Sequence, residues 1–476
     1  MVSVRTLRAG WGRLRTPVRA SVIFTLTAVA ARGIAFLSTA WFTRLLPPEA
    51  YGLYPLYTAR LGLVSVFATW HLYGGTLYRR MQRAGPVGRD RAVTESLCLT
   101  AVPFCLTLAV YAVLAWVSPD SLGLSVPLSV VLFVEIAANT VLAFYYAKCR
   151  FLYGAWPYAC ATLSVAVLSP LVTAALLRYT SLGGQSRIVG PALVSVAAAI
   201  VAGVSLFRGV GRPQPLRQGG RLLREGLALL PYALALVSVE EVPRLLLGAR
   251  VGAAALAKFG IACAVGTAPM LASSGISAVL QPWMLRKLAA GERETVRTVL
   301  RHVCIGAAAL SVAVAHLSPE LFSLLAPEGY RDAMPLVIPV TLSVLAHVLF
   351  LSMTAVSLFR ERARQVTVGA VCAAALSIGA CVLLIDAFGM AGAAWSVPVS
   401  YLFLGVLSYA VLRRGGDGDV LDIGGTCALF VLSATLCLLA VPLFPYPLPR
   451  LFLCAALAVY LVRYAFRVKA QLCEPT

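Results

Sequence analysis

Residues 20–46 read ASVIFTLTAVAARGIAFLSTAWFTRLL, an apolar run long enough for a helix to cross a bilayer. Five arginines stand in the chain before this run, whereas the connection that follows it reads PPE. Basic residues collect on the cytoplasmic side of membrane spans. The run is too long for a signal peptide, lacks a small-residue cleavage site and is followed by further spans. It therefore predicts a transmembrane helix whose N-terminal end is cytoplasmic.

The same asymmetry repeats along the whole chain. Basic residues are concentrated in alternate connections, at 79–91, 148–150, 208–224, 286–301, 360–364, 413–414 and 463–469. The connections between them carry little basic charge, and these lie at 47–49, 118–120, 248–252, 318–320, 386–389 and 445–449. This alternation is the positive-inside pattern of a polytopic protein. It predicts a multi-pass protein of the cell inner (cytoplasmic) membrane with both termini cytoplasmic and an even number of spans.

Long apolar segments separate these connections. They predict about fourteen transmembrane helices, since about twenty residues cross the hydrocarbon core. The predicted spans are 20–46, 54–78, 94–117, 122–147, 156–178, 187–208, 225–249, 252–284, 297–318, 331–358, 365–386, 389–412, 424–444 and 447–467. The outer connections are short, so the predicted fold class is an all-α polytopic membrane protein without an extramembrane domain.

Composition agrees with this fold class. Hydrophobic residues make up 60% of the chain and charged residues 12%, about half the usual share for a soluble protein. The net charge of +21 lies in loops beside the spans, where anionic lipid headgroups attract it, and it forms no nucleic-acid-binding patch. The cysteines lie mostly in apolar segments without a C-x-x-C spacing, and the four histidines are scattered. We therefore expect no metal and no cofactor.

The first twelve spans divide into two sets of six. The basic stretch 148–150 before the fifth span parallels 360–364 before the eleventh, and each sixth span begins near a glycine, Gly190 or Gly392. Six spans is an even number, so both sets have the same orientation, as in parallel-repeat transporters. The match is weak residue by residue, and chance similarity between apolar segments is the alternative. The predicted divisions are a six-helix lobe at 1–215, a second at 216–415 and an additional helix pair at 416–476.

Several short motifs resemble those of one transporter family. They are RLLPPEAYGLY at 44–54, GGTLYR at 74–79, RLLLG at 244–248 and FGMAGAA at 388–394. The stretches are similar to the polysaccharide flippase family of the multidrug/oligosaccharidyl-lipid/polysaccharide exporter superfamily. The chain departs from the family at Pro243, where an acidic residue is usual, and its carboxylates stand one turn earlier at Glu240 and Glu241.

The resemblance implies both a fold and a function. It implies two six-helix lobes around a central cavity, with the last two helices added to this core. It also implies a flippase that moves a polyprenyl-diphosphate-linked oligosaccharide across the membrane by alternating access, for cell-surface polysaccharide synthesis. Glycosyltransferases and a polymerase of the same pathway would then be partners.

Charged residues inside the spans are the best leads to a site, since each costs about 2.5–3.5 kcal/mol unless it faces a cavity or a partner. Arg32 lies near the middle of the first span, too far from either end for its side chain to reach the interface. A guanidinium binds phosphate with two parallel hydrogen bonds, so Arg32 is predicted to hold the diphosphate. The alternative is a buried ion pair with Glu135 or Glu240.

Other charges complete the predicted site. Arg60 and Lys258 lie in the outer parts of the second and eighth spans, where substrate binding and interfacial anchoring are both open. Glu241 and Arg244 are three residues apart and can pair on one helix face. Pro243 should kink this helix, which suggests a gate beside the two carboxylates. Arg244 can pair with one of them, so Glu240 or Glu241 is predicted to take up a proton or a sodium ion. Substrate binding is thus assigned to Arg32, Arg60, Arg244 and Lys258, and ion coupling or gating to Glu240, Glu241 and Glu135.

Three alternatives remain open at this point. A lipid II flippase or a cation-coupled multidrug antiporter would belong to the same superfamily, and a membrane scaffold would not need charges in the middle of spans. The sequence contains no nucleophile elbow, phosphate-binding loop or paired catalytic carboxylates, so we expect no enzyme activity. His71 and His347 are interpreted as helix-packing residues.

Overall fold

The protein is helical throughout the residues that its structure, a computed structural model, describes. These are residues 16–117, 124–208, 210 and 219–473. The arginines up to Arg15, the connection at 118–120 and the predicted boundary between residues 215 and 216 lie outside them. No strand occurs in the described ranges.

The described residues up to 208 form eight helices. They are α1 (Thr16–Leu45), α2 (Pro48–Thr69), α3 (Gly75–Arg83), α4 (Gly85–Leu99), α5 (Ala101–Val117), α6 (Val126–Phe151), α7 (Ala155–Tyr179) and α8 (Ser186–Phe207). The rest contributes α9 (Gly219–Arg250), α10 (Ala253–Gly266), α11 (Ala268–Ala289), α12 (Arg293–Leu325), α13 (Val337–Phe359), α14 (Ala363–Arg414), α15 (Ile423–Leu438), α16 (Ala440–Leu443) and α17 (Pro447–Cys473). Short 3-10 segments lie at Gly183–Gln185, Glu328–Leu336 and Gly418–Val420.

These helices confirm the predicted fold class. Each of the fourteen predicted spans overlaps one helix or two consecutive helices. Among the described residues, ten helical segments are long and apolar enough by themselves to cross a membrane. The eleventh and twelfth spans are joined in α14, where Gly389 has a non-helical backbone with φ of 56°. The third and eighth spans are each divided in two, at Thr100 and Thr267.

One helix begins earlier than the sequence predicts. The second span was expected from residue 54, but α2 begins at Pro48. Proline is favoured at the first position of a helix, since it has no N–H to leave unpaired and its φ suits the helix. Arg60 therefore lies about 18 Å from the first residue of α2, at 1.5 Å per residue.

The chain divides into two compact units. Among the described residues, the first unit comprises residues 16–38 and Tyr57–Leu234, and the second comprises Thr39–Leu56 and everything from Ala235 onward. Helices α1, α2 and α9 each contribute residues to both units. A core cluster of the first unit contains Leu72, Leu77, Met81, Val93 and Phe144. In the second unit α13 is enclosed most fully, because it packs against α10, α11, α12, α14 and α15.

Within the second unit, α15 and α17 pack on α12. Val312 and Ala315 of α12 share an apolar cluster with Cys437 of α15 and with Ala440. Arg450 of α17 is 3% exposed, and it donates to the carbonyl oxygen of His316 at 2.7 Å and to Glu320 at 2.8 Å. The last helices are therefore joined to α12 by a buried cation as well as by apolar surface.

A buried carboxylate lies at the opposite end of α12. Asp417, whose side chain is 3% exposed, pairs with Arg360 and Arg362 at 3.1 Å and with Arg293 at 3.4 Å. Arg293 also donates to the exposed Asp419, and this hydrogen bond lowers the pKa of that carboxyl below its usual value. Asp417 thus ties the start of α12 to the connections on both sides of α14.

Gly52 of α2 lies where that helix meets the start of α10. A Cβ added at Gly52 would overlap the carbonyl oxygen of Ala253, so only glycine permits this approach. We expect Gly52→Ala to destabilise the protein by about 1–3 kcal/mol, since backbone atoms would have to move apart. Thermal unfolding of the purified variant would measure the loss.

The matched control for this prediction is Gly33→Ala in α1. A Cβ at Gly33 meets nothing within 4 Å. Alanine is a better helix former than glycine, and the control should gain roughly 0.5–1 kcal/mol. Equal unfolding temperatures for the two variants would contradict the close approach at Gly52.

Candidate functional site

The clearest polar site of the second unit centres on Glu240 of α9. The Tyr401 hydroxyl, from the second half of α14, donates to Glu240 Oε1 at 3.0 Å. Tyr401 is buried while Glu240 is exposed, so the pair has one side open. No basic side chain in the described ranges forms an ion pair with Glu240. Its carboxylate is therefore held by a hydroxyl group and remains available to a proton or a cation.

His347 and an ion pair complete this site. The His347 ring of α13 lies edge-on to Tyr401 with ring centroids 5.1 Å apart, and its buried Nδ1 has no hydrogen-bond partner among the described residues. Arg244 Nη1 donates to Glu241 Oε2 at 2.6 Å, the pair expected from their spacing. Helix α9 continues through Pro243 to Arg250. The two adjacent carboxylates thus differ, because Glu241 is neutralised by Arg244 and Glu240 is not.

The first unit contains a second pairing of a tyrosine with a carboxylate. The Tyr57 hydroxyl of α2 donates to Glu135 Oε2 of α6 at 2.7 Å, and Asn139 stands one turn further along α6. Glu135 is 7% exposed and has no ion-pair partner in the part of the chain that is described. A cavity of about 190 Å³ lies next to Ile136 and Asn139 on the same helix, and Ser65, Thr69 and Thr140 are among the other residues that line it.

The two arginines predicted for the first unit have different surroundings. Arg32 is exposed near the middle of α1, and its guanidinium has no hydrogen bond or ion pair with any described residue. The alternative pairing of Arg32 with Glu135 is therefore not formed. Arg60 is half-buried and within electrostatic reach of Tyr111. No hydrogen bond or ion pair joins Arg32, Arg60 and Glu135 to one another among the described residues.

Lys258 of α10 has an acidic partner. Its Nζ lies 2.6 Å from Asp332 Oδ2, in the 3-10 segment before α13. The second unit thus brings Glu240, Glu241 and Arg244 together, whereas Lys258 is bound to a separate carboxylate. In the described ranges no three His, Cys, Asp or Glu side chains are grouped as metal ligands would be.

Three aromatic partners were missed by sequence reasoning. Tyr57 and Tyr401 lie in apolar helices, where a tyrosine is usually interpreted as a residue that packs between helices. The sequence interpretation of His347 was the same. The signal that could have found them is the unpaired carboxylate itself, because a carboxyl in a span needs a donor. Which hydroxyl supplies the hydrogen bond depends on helix packing.

The arrangement of helices is similar to that of several solved transporters. A multidrug resistance MATE family transporter of the MOP superfamily, inward-facing, matches with a TM-score of 0.62 at 14% identity over 85% of this chain and 98% of its own. The lipid II flippase MurJ, inward closed, matches with a TM-score of 0.68 at 11% identity over 94% and 100%. A MOP superfamily transporter from Pyrococcus furiosus matches with a TM-score of 0.56 at 14% identity, over 87% of this chain and 96% of its own. The chain has the fold of MOP-superfamily transporters.

The family follows from the sequence match. The family model described as polysaccharide biosynthesis protein matches residues 18–287, more than half of the chain. This protein belongs to that family, as the motifs indicated. It is a multi-span helical membrane protein. A comparison with curated proteins gives no match.

Proposed function

We propose that the protein is a flippase that translocates a polyprenyl-diphosphate-linked oligosaccharide across the cytoplasmic membrane by alternating access. Membership of the polysaccharide biosynthesis protein family and the transporter fold support this function. Both termini would be cytoplasmic, and the glycosyltransferases and polymerase that make and extend the glycan would act before and after it. The protein would carry out no catalytic step.

One observation carries the choice of an anionic substrate. Arg32 is exposed at mid-span and has no acidic partner among the described residues, although an unpaired charge at this depth is costly. A diphosphate would supply the missing negative charge in a geometry that suits a guanidinium. Arg60 is the second proposed ligand. Arg244 and Lys258 are weaker ligands, because each already pairs with a carboxylate.

Replacing Arg32 tests this function. In liposomes loaded with a labelled polyprenyl-diphosphate-linked sugar, wild type should move the headgroup across the bilayer. Arg32→Ala should slow this by roughly ten- to a hundred-fold, since hydrogen bonds to charged groups contribute about 1.5–3 kcal/mol. Arg32→Lys should retain part of the rate, because it keeps the charge and loses the planar fork.

Arg178→Ala is the matched control for Arg32→Ala. Arg178 is also exposed but lies in the last turn of α7, where a long side chain reaches the interface. This variant should transport at the wild-type rate. If Arg32→Ala moved the headgroup at the wild-type rate, Arg32 would not be part of the substrate site. If wild type moved no headgroup, the proposed substrate would be refuted.

Lipid II is the second candidate substrate. The similarity to the lipid II flippase MurJ extends over the whole of that chain and supports it. Lipid II also contains a diphosphate, so Arg32 would bind either substrate. In the liposome assay, unlabelled lipid II would compete with the labelled sugar lipid only if the protein also binds lipid II. A multidrug antiporter is supported less well, because a cationic drug would be repelled by Arg32.

We also propose that Glu240 couples transport to a proton or a sodium ion. This carboxylate is exposed, and its partner is a neutral hydroxyl. Glu241 is less suited, since Arg244 neutralises it. Glu135 is proposed as a second protonatable group in the first unit, on the helix whose Ile136 and Asn139 line a cavity.

A further inference from the structure

A narrow apolar groove runs along the second unit between α13, the second half of α14 and α15. Its volume is about 320 Å³. Leu402, Val406 and Tyr409 of α14 form one wall, and Cys427 and Val431 of α15 form the other. We call it the α14–α15 groove. Val406 is 63% exposed and Val431 is 64% exposed, so the groove is open between these two residues.

A cation stands at one end of this groove. Arg413 follows Leu402, Val406 and Tyr409 at helical spacing, so all four lie on one face of α14. Arg413 is exposed, and its guanidinium has no hydrogen bond or ion pair with any described residue. An apolar groove that ends at an unpaired arginine is complementary to a hydrocarbon chain with an anionic head.

The stretch of α14 from Leu402 in the groove to Arg413 beyond it is about as long as one leaflet of a bilayer is thick. Leu402 and Arg413 are separated by about 16 Å along α14 at 1.5 Å per residue. Half of a hydrocarbon core measures about 15 Å. The walls are the spans themselves, so a chain in the groove would run in the direction that acyl chains take in the membrane.

We infer that the α14–α15 groove binds one acyl chain of an anionic phospholipid, whose phosphate is held by Arg413. The chain would displace nothing polar, because the walls are almost entirely apolar, and the guanidinium would gain charge-assisted hydrogen bonds. The inner end of the groove is formed by Tyr401, which also holds Glu240. Binding itself does not depend on the transport role proposed for Glu240.

Two variants test the binding site by native mass spectrometry of the purified full chain. Phosphatidylglycerol and phosphatidylcholine with the same acyl chains are the probes. Wild type should retain phosphatidylglycerol at least five-fold more than phosphatidylcholine, and Arg413→Gln should abolish this preference. Gly405→Phe should lose both lipids, because Gly405 lines the groove and a Cβ there meets nothing within 4 Å.

Each variant has a matched control on the same helix. Arg364→Gln removes another exposed arginine of α14, and Gly379→Phe adds a ring at another glycine whose Cβ would meet nothing within 4 Å. Both controls should bind as wild type. Equal phosphatidylglycerol retention by Gly405→Phe and Gly379→Phe would refute the groove, and an unchanged preference in Arg413→Gln would refute the phosphate contact.

A labelling experiment distinguishes the occupant. Cys427 is exposed in the groove wall, so added phosphatidylglycerol should slow its reaction with maleimide at least three-fold, while Cys372 of α14 reacts as before. Unchanged labelling of Cys427 would overturn the proposal. Protection by polyprenyl phosphate and not by phosphatidylglycerol would also overturn it, since the groove would then hold the carrier chain.

Discussion

Replacing Glu240 by glutamine is expected to abolish the dependence of transport on an ion gradient and to slow headgroup crossing at least ten-fold. Glutamine has the same size and still accepts the hydrogen bond from Tyr401, but it takes up neither a proton nor a cation. The substitution therefore removes the negative charge of residue 240 and keeps the packing of its side chain against Tyr401. The measurement is headgroup transport in liposomes with imposed proton or sodium gradients, compared with wild type.

Two other glutamates serve as controls for this prediction. Glu328→Gln changes an exposed residue that pairs with Arg331, and it should transport as wild type. Glu241→Gln leaves Arg244 without its partner, so it should lower stability and keep the response to the gradient. If Glu240→Gln responded to the gradient as strongly as wild type, Glu240 would not be the coupling group.

Asp417→Asn should cause the largest loss of stability among the changes considered. The side chain is buried against Arg293, Arg360 and Arg362, and asparagine would leave these cations without their shared negative charge. Removal of one member of a buried ion pair costs about 3–5 kcal/mol. We expect about 3 kcal/mol, because the arginines are partly exposed. Thermal unfolding of the detergent-solubilised protein would measure it.

Asp419→Asn is the matched control two residues away. Asp419 also pairs with Arg293, but its side chain is 58% exposed, so the loss should stay below about 1 kcal/mol. Arg293 lowers the pKa of Asp419, so this small contribution is present above the unfolded pKa and is lost as pH falls through the folded pKa. A similar loss of stability in both variants would show that the burial of Asp417 does not strengthen its ion pairs.

Hydropathy and charge predict the helices of this protein well, because a bilayer demands long apolar segments. Helix ends are predicted less well where packing decides them. The stretch PPEAY at 47–51 resembles a loop in composition, yet Pro48 begins α2 and Gly52 packs on Ala253. The breaks at Thr100 and Thr267 have no proline or glycine at the break itself. The break at Thr267 directly follows Gly266, whereas no such residue adjoins Thr100, so the local sequence contained no sign of the first break.

The candidate site could be predicted only as far as its charges. Arg32 and Glu240 stand out because ionised groups are rare in spans. Their surroundings could not be predicted, since Tyr401 is 161 residues from Glu240 in the chain and the hydrogen bond depends on how α9 and α14 pack. Asp417 was overlooked for a related reason. An acid in a glycine-rich connection is usually solvated, and its burial follows from arginines on two other segments.

The buried contacts of the last helices bear on how far this transporter can be shortened. A chain that ended at Arg414 would lack Asp417 and would leave Arg293, Arg360 and Arg362 with uncompensated charge. It would also expose the apolar side chains of α12 that pack against α15, and it would leave Glu320 without its ion-pair partner Arg450. We therefore expect a chain shortened to its first twelve predicted spans to be less stable than the chain that includes α15, α16 and α17.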